Sequence, residues 1–272
     1  MNGYPNQRLQ GQILKTVSVD NKTSVSEMSV STMEVQPVSQ CQIRFLNAAA
    51  GYGELIVEVA GQMISNNLEF GRVSERVGIS EGYQDVKITM VQSPGAVLLD
   101  KPFPFQNCMN SIAAIINTAT GIDVMLFSEA VCRPEEGRAC FRIANLSYTS
   151  PPVDIMVENG EMVFKDVRFK QMTEFVQADA GEYNFNVLLS TEAPEAQLNN
   201  RSNITPSPTT GEEEVITPEQ PVEEGGYPAE EEPVYTFFYE EFEGGRKYTA
   251  FLIGNKNYEH TLRVETIEES IE

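Results

Sequence analysis

Basic charge is scarce in this chain of 272 residues: 19 lysines and arginines stand against 40 aspartates and glutamates, and the net charge is −21. Binding nucleic acid means neutralising phosphates, so this balance argues against a nucleic-acid partner. An anionic membrane surface would repel the chain as well. No apolar run approaches the ~20 residues that a spanning helix needs, so no membrane insertion is expected. Histidine is almost missing. His260 is the only one, and any Ser-His-Asp or Cys-His centre would have to be built on it. It stands in NKNYEHT, a polar turn that suits a solvated loop residue. Cysteine is sparse too: Cys41, Cys108, Cys132 and Cys140 include no CxxC pair, which excludes the usual zinc spacings. Four free thiols are expected, because disulfides are rare in unsecreted proteins. The alternative is a Cys132–Cys140 bridge, since that pair brackets a short linker.

Phosphate-cradling loops are lacking as well. Gly51-Tyr52-Gly53 has no third glycine and no following helix, and Gly244-Gly245-Arg246-Lys247 does not have the spacing of a P-loop. There is no EF-hand string. Carboxylate pairs such as Glu240-Glu241 and Glu268-Glu269 are too common to be specific and read as solvated faces. No catalytic residue, metal ligand or cofactor is therefore expected, nor an enzyme. The N-terminal MNGYPNQRLQGQILK has no apolar h-region, and the C-terminal ETIEESIE carries no lipidation or sorting signal. The expectation is synthesis in the cytoplasm, with a cell or spore surface reached only by a non-classical route.

What the chain does contain is short β runs punctuated by glycine and proline. From Gln42 onward these are IRFLN (Ile43–Asn47), LIVEV (Leu55–Val59), DVKITMV (Asp85–Val91), VLLD (Val97–Asp100), SIAAIIN (Ser111–Asn117) and DVMLF (Asp123–Phe127). SIAAIIN has the periodicity of a buried helix turn as well, but its length and β-branched residues favour a buried strand. The second half repeats the first. Phe141–Asn145 matches IRFLN at an offset of 98, and Val153–Val157 matches Leu55–Val59 at the same offset. At an offset of 99, Met63 meets Met162, Leu68 meets Val167, Phe70 meets Phe169, Glu75 meets Glu174 and Gly82 meets Gly181. At 137, VYTFFYEEF (Val234–Phe242) resumes the match to VLLDKPFPF, KYTAFLIGN covers SIAAIIN, and LRVET (Leu262–Thr266) is the last strand. A period near 100 residues is a duplicated domain, not a solenoid.

The organisation expected is a flexible arm over 1–40, with Ser24–Val35 alternating enough to pair as a strand; a first sandwich over 41–131; a linker over 132–138; a second sandwich over 139–267; and an acidic tail over 268–272. Two sandwiches joined by so short a linker should sit end to end or at a fixed angle. The jump in offset marks an insert, 192–232, with 11 glutamates, six prolines and one arginine, which carries −10 of the charge. That composition reads as a disordered loop. The fold class is all-β: two tandem antiparallel β-sandwiches, immunoglobulin-like with Greek-key connections.

The phrases RFLNAA, LIVEVAGQMISNNLEFGRVSE, SEGYQD and VKITM, and in the second copy FRIANLSYTSPPVDIMVENGEMVFKDVRFKQMTEF and DAGEYNFNV, resemble the family called domain of unknown function 4397. Its plan is matched best by Arg142, Pro151, Val153, Asp154, Gly160 and Phe169, and the likeness covers roughly residues 41–266 apart from the insert. The resemblance implies tandem β-sandwiches, usually in bacterial proteins exported to the cell envelope, with no catalytic residues attached to the family in general. The first copy has Ile56 where the second has Asp154, so both copies do not need that aspartate. Among surface features, Phe237, Phe238 and Tyr239 are consecutive, so at least one must point outward in a strand. With Tyr235 they form either an exposed aromatic strip or a core strand covered on both sides. The function expected is structural: assembly with protein partners or with itself at a bacterial cell or spore surface layer. Carbohydrate or peptide binding is the alternative. The sequence names no ligand.

Overall fold

The computed structural model describes residues 40–106, 110–128, 131–190, 203–206, 234–255 and 261–269. The expected arm, its strand at Ser24–Val35, Cys108 and His260 lie outside the described residues, except that Gln40 opens the first strand. Among the described residues every regular element is a strand. The first repeat contains β1 (Gln40–Asn47), β2 (Leu55–Val59), β3 (Gln62–Leu68), β4 (Val77–Ser80), β5 (Gly82–Met90), β6 (Ser93–Phe105), β7 (Asn110–Thr118) and β8 (Gly121–Ser128). The second contains β9 (Arg138–Asn145), β10 (Val153–Val157), β11 (Met162–Val167), β12 (Val176–Asp179), β13 (Gly181–Leu189), β14 (Asn203–Ile204), β15 (Val234–Phe242), β16 (Lys247–Ile253) and β17 (Arg263–Glu269).

Each repeat folds into two sheets. The first has an outer sheet in the order β3-β2-β5-β6 and an inner sheet β4-β1-β7-β8; the second has β11-β10-β13-β15 outside and β14-β12-β9-β16-β17 inside. The sandwiches are mixed rather than purely antiparallel as expected. β1 pairs with β7 in parallel, and β9 with β16 likewise. Between β1 and β7 the chain passes twice through the outer sheet, as β2–β3 and β5–β6, with β4 adding to the inner sheet's edge in between, and this long connection is what a parallel pair requires. Between the sheets of each repeat lies a dry core. In the first it is built on Ile43, Phe45, Val57, Ile88 and Phe105. In the second it is built on Phe141, Ile155, Tyr183, Phe185 and Phe242, where Phe141 stands 5.2 Å from Phe185 and 5.0 Å from Phe242.

Burial explains which strands show in the sequence. LIVEV and VDIMV each alternate buried with half-buried positions, as strands of an outer sheet should. SIAAIIN and KYTAFLI are buried at every position, because the inner sheets have no free face. They lie against each other. Leu46, Ile112, Ala114, Ile116 and Phe127 of the first repeat share one apolar cluster with Ala144, Leu146, Phe251, Ile253 and Ile267 of the second, and Phe127 meets Phe251 edge to face at 6.0 Å. This sheet-on-sheet stack replaces the expected end-to-end arrangement.

The contact is close to two-fold. Arg44 Nη2 donates to the Glu268 carbonyl at 3.4 Å, and its counterpart Arg142 Nη2 donates to the Ser128 carbonyl at 3.2 Å. Ser128 pairs with Ser111 as Glu268 pairs with Tyr248, so the two hydrogen bonds occupy matching places. Arg263 of β17 reaches the turn after β3, donating to the Phe70 carbonyl at 2.9 Å with its guanidinium over the ring. Gly71 makes that approach possible. It has φ +79°, and a Cβ there would lie 2.1 Å from Arg263 Nη2.

Two further expectations change. Glu268 and Glu269 belong to β17 rather than to an acidic tail, and Glu269 is fully buried where Glu268-Glu269 had read as a solvated face. Its carboxylate accepts from Arg142 Nη2 at 2.6 Å and from the Thr249 hydroxyl. Two strands from opposite ends of the repeat bring these residues together, and local sequence gives no sign of it. Of the insert only residues 203–206 are described, and the rest of the expected loop lies outside the described residues. Asn203–Ile204 form β14 beside β12 in parallel, and Ile204 is buried in the second core.

Candidate functional site

Two sheet faces remain outside this stack, the outer face of each outer sheet. Their residues follow from register. On β13, Phe185 and Val187 point into the core, so Glu182, Asn184 and Asn186 point out. On β15, Phe238 and Phe242 point inward, and Phe237, Tyr239 and Glu241 point out. Cross-strand partners set the rows: Asn186 faces Phe237, Asn184 faces Tyr239, and Glu182 faces Glu241. Met156 continues the Asn186 row on β10 and Met162 continues it on β11. Asn184 Nδ2 donates to Glu158 Oε2 at 2.9 Å.

Phe237 is 77% exposed and Tyr239 54% exposed. The two readings of the consecutive aromatics therefore divide by residue. Phe237 and Tyr239 form the exposed strip, Phe238 is core, and Tyr235 packs against the core beside a register shift in the β13–β15 pairing. Partial desolvation, the charges of Glu182 and Glu241 and a hydrogen bond from its hydroxyl to Glu182 push the Tyr239 phenol up, with a smaller contribution from Glu240. Burial also raises the carboxyl of Glu240, against a hydrogen bond from Thr266 that lowers it. Glu240 faces inward, so only Glu241 of that pair keeps the solvated reading. Asn184, Asn186 and Glu182 were not singled out from the sequence. The alternation in GEYNFNV carried the signal, but three aromatics in succession on β15 hid which parity faced out.

The same face of the first repeat is built differently. At the places of Met156, Asn186 and Phe237 stand Glu58, Lys87 and Asp100, which share one row across β2, β5 and β6. Lys87 Nζ lies 3.9 Å from Glu58 Oε2, so this row pairs one of its two carboxylates with a lysine.

Other residues singled out from the sequence have structural places. Gly51-Tyr52-Gly53 lies in the turn after β1, where the Gly53 carbonyl accepts from Asn47 Nδ2 at 3.0 Å. Gly244-Gly245 forms the turn between β15 and β16, with the Gly245 amide donating to the Arg138 carbonyl at 2.7 Å. Asp154 accepts from the Asp166 amide at 2.7 Å, and Phe169 packs at the contact between repeats. Among the described residues no three His, Cys, Asp or Glu side chains converge as metal ligands.

The favoured reading of four free thiols is overturned. Cys132 and Cys140 form a disulfide with Cα atoms 6.3 Å apart, Cys41 is disulfide-bonded too, and no cysteine among the described residues is free. The thiol reading rested on cellular compartment, whereas the bridge follows from geometry. The linker folds back on β9, with the Arg138 amide donating to the Glu135 carbonyl at 3.0 Å. That places the bracketing cysteines within bridging range.

No helix among the described residues is long and apolar enough to cross a membrane. The model of the family described as domain of unknown function 4397 matches residues 41–156, which span the first repeat and run into the second, and again 142–217, within the second repeat. No curated protein matches the chain.

Proposed function

The chain belongs to the family described as domain of unknown function 4397, and from that premise we propose that it is a non-enzymatic interaction protein of a bacterial cell or spore surface layer, assembling with other proteins through the outer faces of its sheets. The observation that carries this reading is the pair of exposed rings, Phe237 and Tyr239, on the outer face of the second repeat. Exposed aromatics grouped on a rigid sheet are characteristic of interaction surfaces. The face is built on a four-stranded sheet over an apolar core, and such a preformed surface loses little entropy on docking. Disulfides persist in oxidising compartments, so the Cys132–Cys140 bridge and the bonded Cys41 support a place outside the reducing cytoplasm.

The test is where a tagged copy goes and what it needs to stay there. It is expected to fractionate with the surface layer, and Phe237→Ser/Tyr239→Ser is expected to release it while the fold is unchanged by circular dichroism. A tagged copy found only in the cytosol, or a specific turnover that maps to a compact residue cluster, overturns the reading. A second reading, carbohydrate binding, is favoured by the amides of Asn184 and Asn186 beside the rings. A glycan array probed with wild type and with the double variant decides it.

A further inference from the structure

We infer that the outer face of the second repeat is a docking site for a cationic, extended segment of a partner protein, whose lysine or arginine side chains lie over Phe237 and Tyr239 and pair with Glu182 and Glu241. This rests on the proposed interaction role and names the partner chemistry.

The case begins with a pairing that the fold alone does not favour. Glu182 and Glu241 are directly opposite each other on neighbouring strands, and both are exposed. Like charges in that position repel, and neither makes an ion pair among the described residues. Glu158 adds a third carboxylate through its bond to Asn184, one residue pair away. Lys165, the lysine of β11, stands on the edge strand opposite β15. The Tyr239 phenol is held up partly by Glu182 and Glu241, which agrees with the register in placing it among these carboxylates.

The second observation is the rings. An aromatic face attracts a cation by its quadrupole, so Tyr239, in the row next to the Glu182–Glu241 pair, and Phe237, one row further along, extend the surface that complements successive lysine or arginine side chains. The first repeat shows that neither feature is required by the sandwich. Tyr83 and Pro104 replace the Glu182–Glu241 pair there, and the Glu58, Lys87 and Asp100 row replaces the Phe237 row with charged residues that include a lysine, paired with Glu58. The two repeats share a fold; the first exposes a single ring, Tyr83, opposite Pro104, and the second alone sets two exposed rings on one strand beside a directly opposed glutamate pair. A segment with alternating cationic residues matches it, because every second side chain of an extended chain faces the same way.

The experiment titrates the full chain, at physiological salt, with a fluorescent peptide alternating lysine with threonine, and with its glutamate counterpart as control. Wild type is expected to bind the lysine peptide and not the glutamate one. Phe237→Ser/Tyr239→Ser and Glu182→Gln/Glu241→Gln are each expected to weaken binding about tenfold or more, tenfold corresponding to ~1.4 kcal/mol. Glu136→Gln/Glu174→Gln removes the same charge from exposed positions elsewhere and is expected to leave binding unchanged. Equal weakening in that control, or no weakening in the face variants, overturns the site as general attraction to an acidic protein. Binding to a neutral glycan that needs the rings but not the carboxylates overturns it in favour of sugar. Neither result touches the surface-layer assignment, which the fractionation experiment tests separately.

Discussion

Arg142 and Glu269 lie 127 positions apart and meet in a site where their side chains are 5% and 0% exposed. A buried ion pair adds little by itself, but removing one partner strands the other charge at ~3–5 kcal/mol. Arg142→Met is therefore expected to lower unfolding stability by about that much. Arg142→Met/Glu269→Met is expected to recover most of the loss in a denaturant titration, and a double variant no better than the single one would show that the pair stabilises directly. Asn47 and Asn145 are the clearest polar residues shared by the two repeats. Both are fully buried at the end of the first strand, and their Nδ2 atoms donate to the Leu68 and Val167 carbonyls at 2.9 and 3.1 Å. Asn145→Ala removes the bond to that carbonyl and the one its Oδ1 accepts from the Ser147 amide in a buried site, and is expected to destabilise by ~1–3 kcal/mol, read as a lower denaturation midpoint. Asp123 introduces a pH dependence. Burial opposes its charge, but the hydrogen bond and charge of Lys101, the Val124 amide and the charge of Lys170 outweigh it and hold the carboxyl below its usual 3.8. A depressed carboxyl stabilises the fold above its unfolded pKa and loses that contribution as pH falls through the folded value. Asp123→Asn should therefore flatten the acid limb of the stability profile, and an unchanged limb would exclude this residue as its source. Asn47 and Asn145 stood in matching positions of IRFLN and FRIAN and were legible as a repeat. The Arg142–Glu269 contact was not, since periodicity carries no information about partners so distant in sequence.

At the scale of elements, the strands that the sequence revealed are those with apolar patterning, and the ones it hid are polar edges. β3, QMISNNL, buries fully only Leu68, and β4 has four residues, so neither offers an alternation to detect. β14 was hidden for another reason: it lies inside an acidic, proline-rich insert whose composition masks two residues that pair. Ile204 is 2% exposed and its carbonyl accepts from the buried Tyr183 hydroxyl at 3.3 Å. Shortening the insert while keeping Asn203–Pro206 joined to both sides is expected to be nearly neutral, since loop closure depends only weakly on length. Ile204→Ala is expected to lose ~2–5 kcal/mol by opening a cavity. Thermal melts of the two variants separate the effects, and an unchanged melting temperature for Ile204→Ala would mean that β14 contributes nothing to the core.

At the scale of the whole molecule, the contact between repeats behaves like the interface of a symmetric dimer joined into one chain. The same strands face each other from both copies, Arg44 and Arg142 make matching bonds across it, and each side contributes apolar residues that its own core cannot cover. The near-continuous apolar runs of β7 and β16 were legible as buried strands, but the sequence did not say what covered their second face, because a single strand pattern is the same whether the cover is a core, a ligand or another domain. The stacking has a consequence for cooperativity. If the inner sheets stabilise each other, neither repeat should melt alone, and the intact chain should unfold in a single calorimetric transition. The first repeat expressed by itself, residues 41–131, would expose Leu46, Ile112, Ala114, Ile116 and Phe127 together. A contiguous apolar patch of that kind drives association, and a surface already shaped to meet its own homologue favours a closed two-fold dimer over an open polymer. Sedimentation velocity of the isolated repeat is expected to show a dimer, and Ile112→Lys/Ile116→Lys is expected to return it to monomer. A wild-type repeat that stays monomeric and folded, together with two separate transitions in the full chain, would mean that the inner faces touch without stabilising each other.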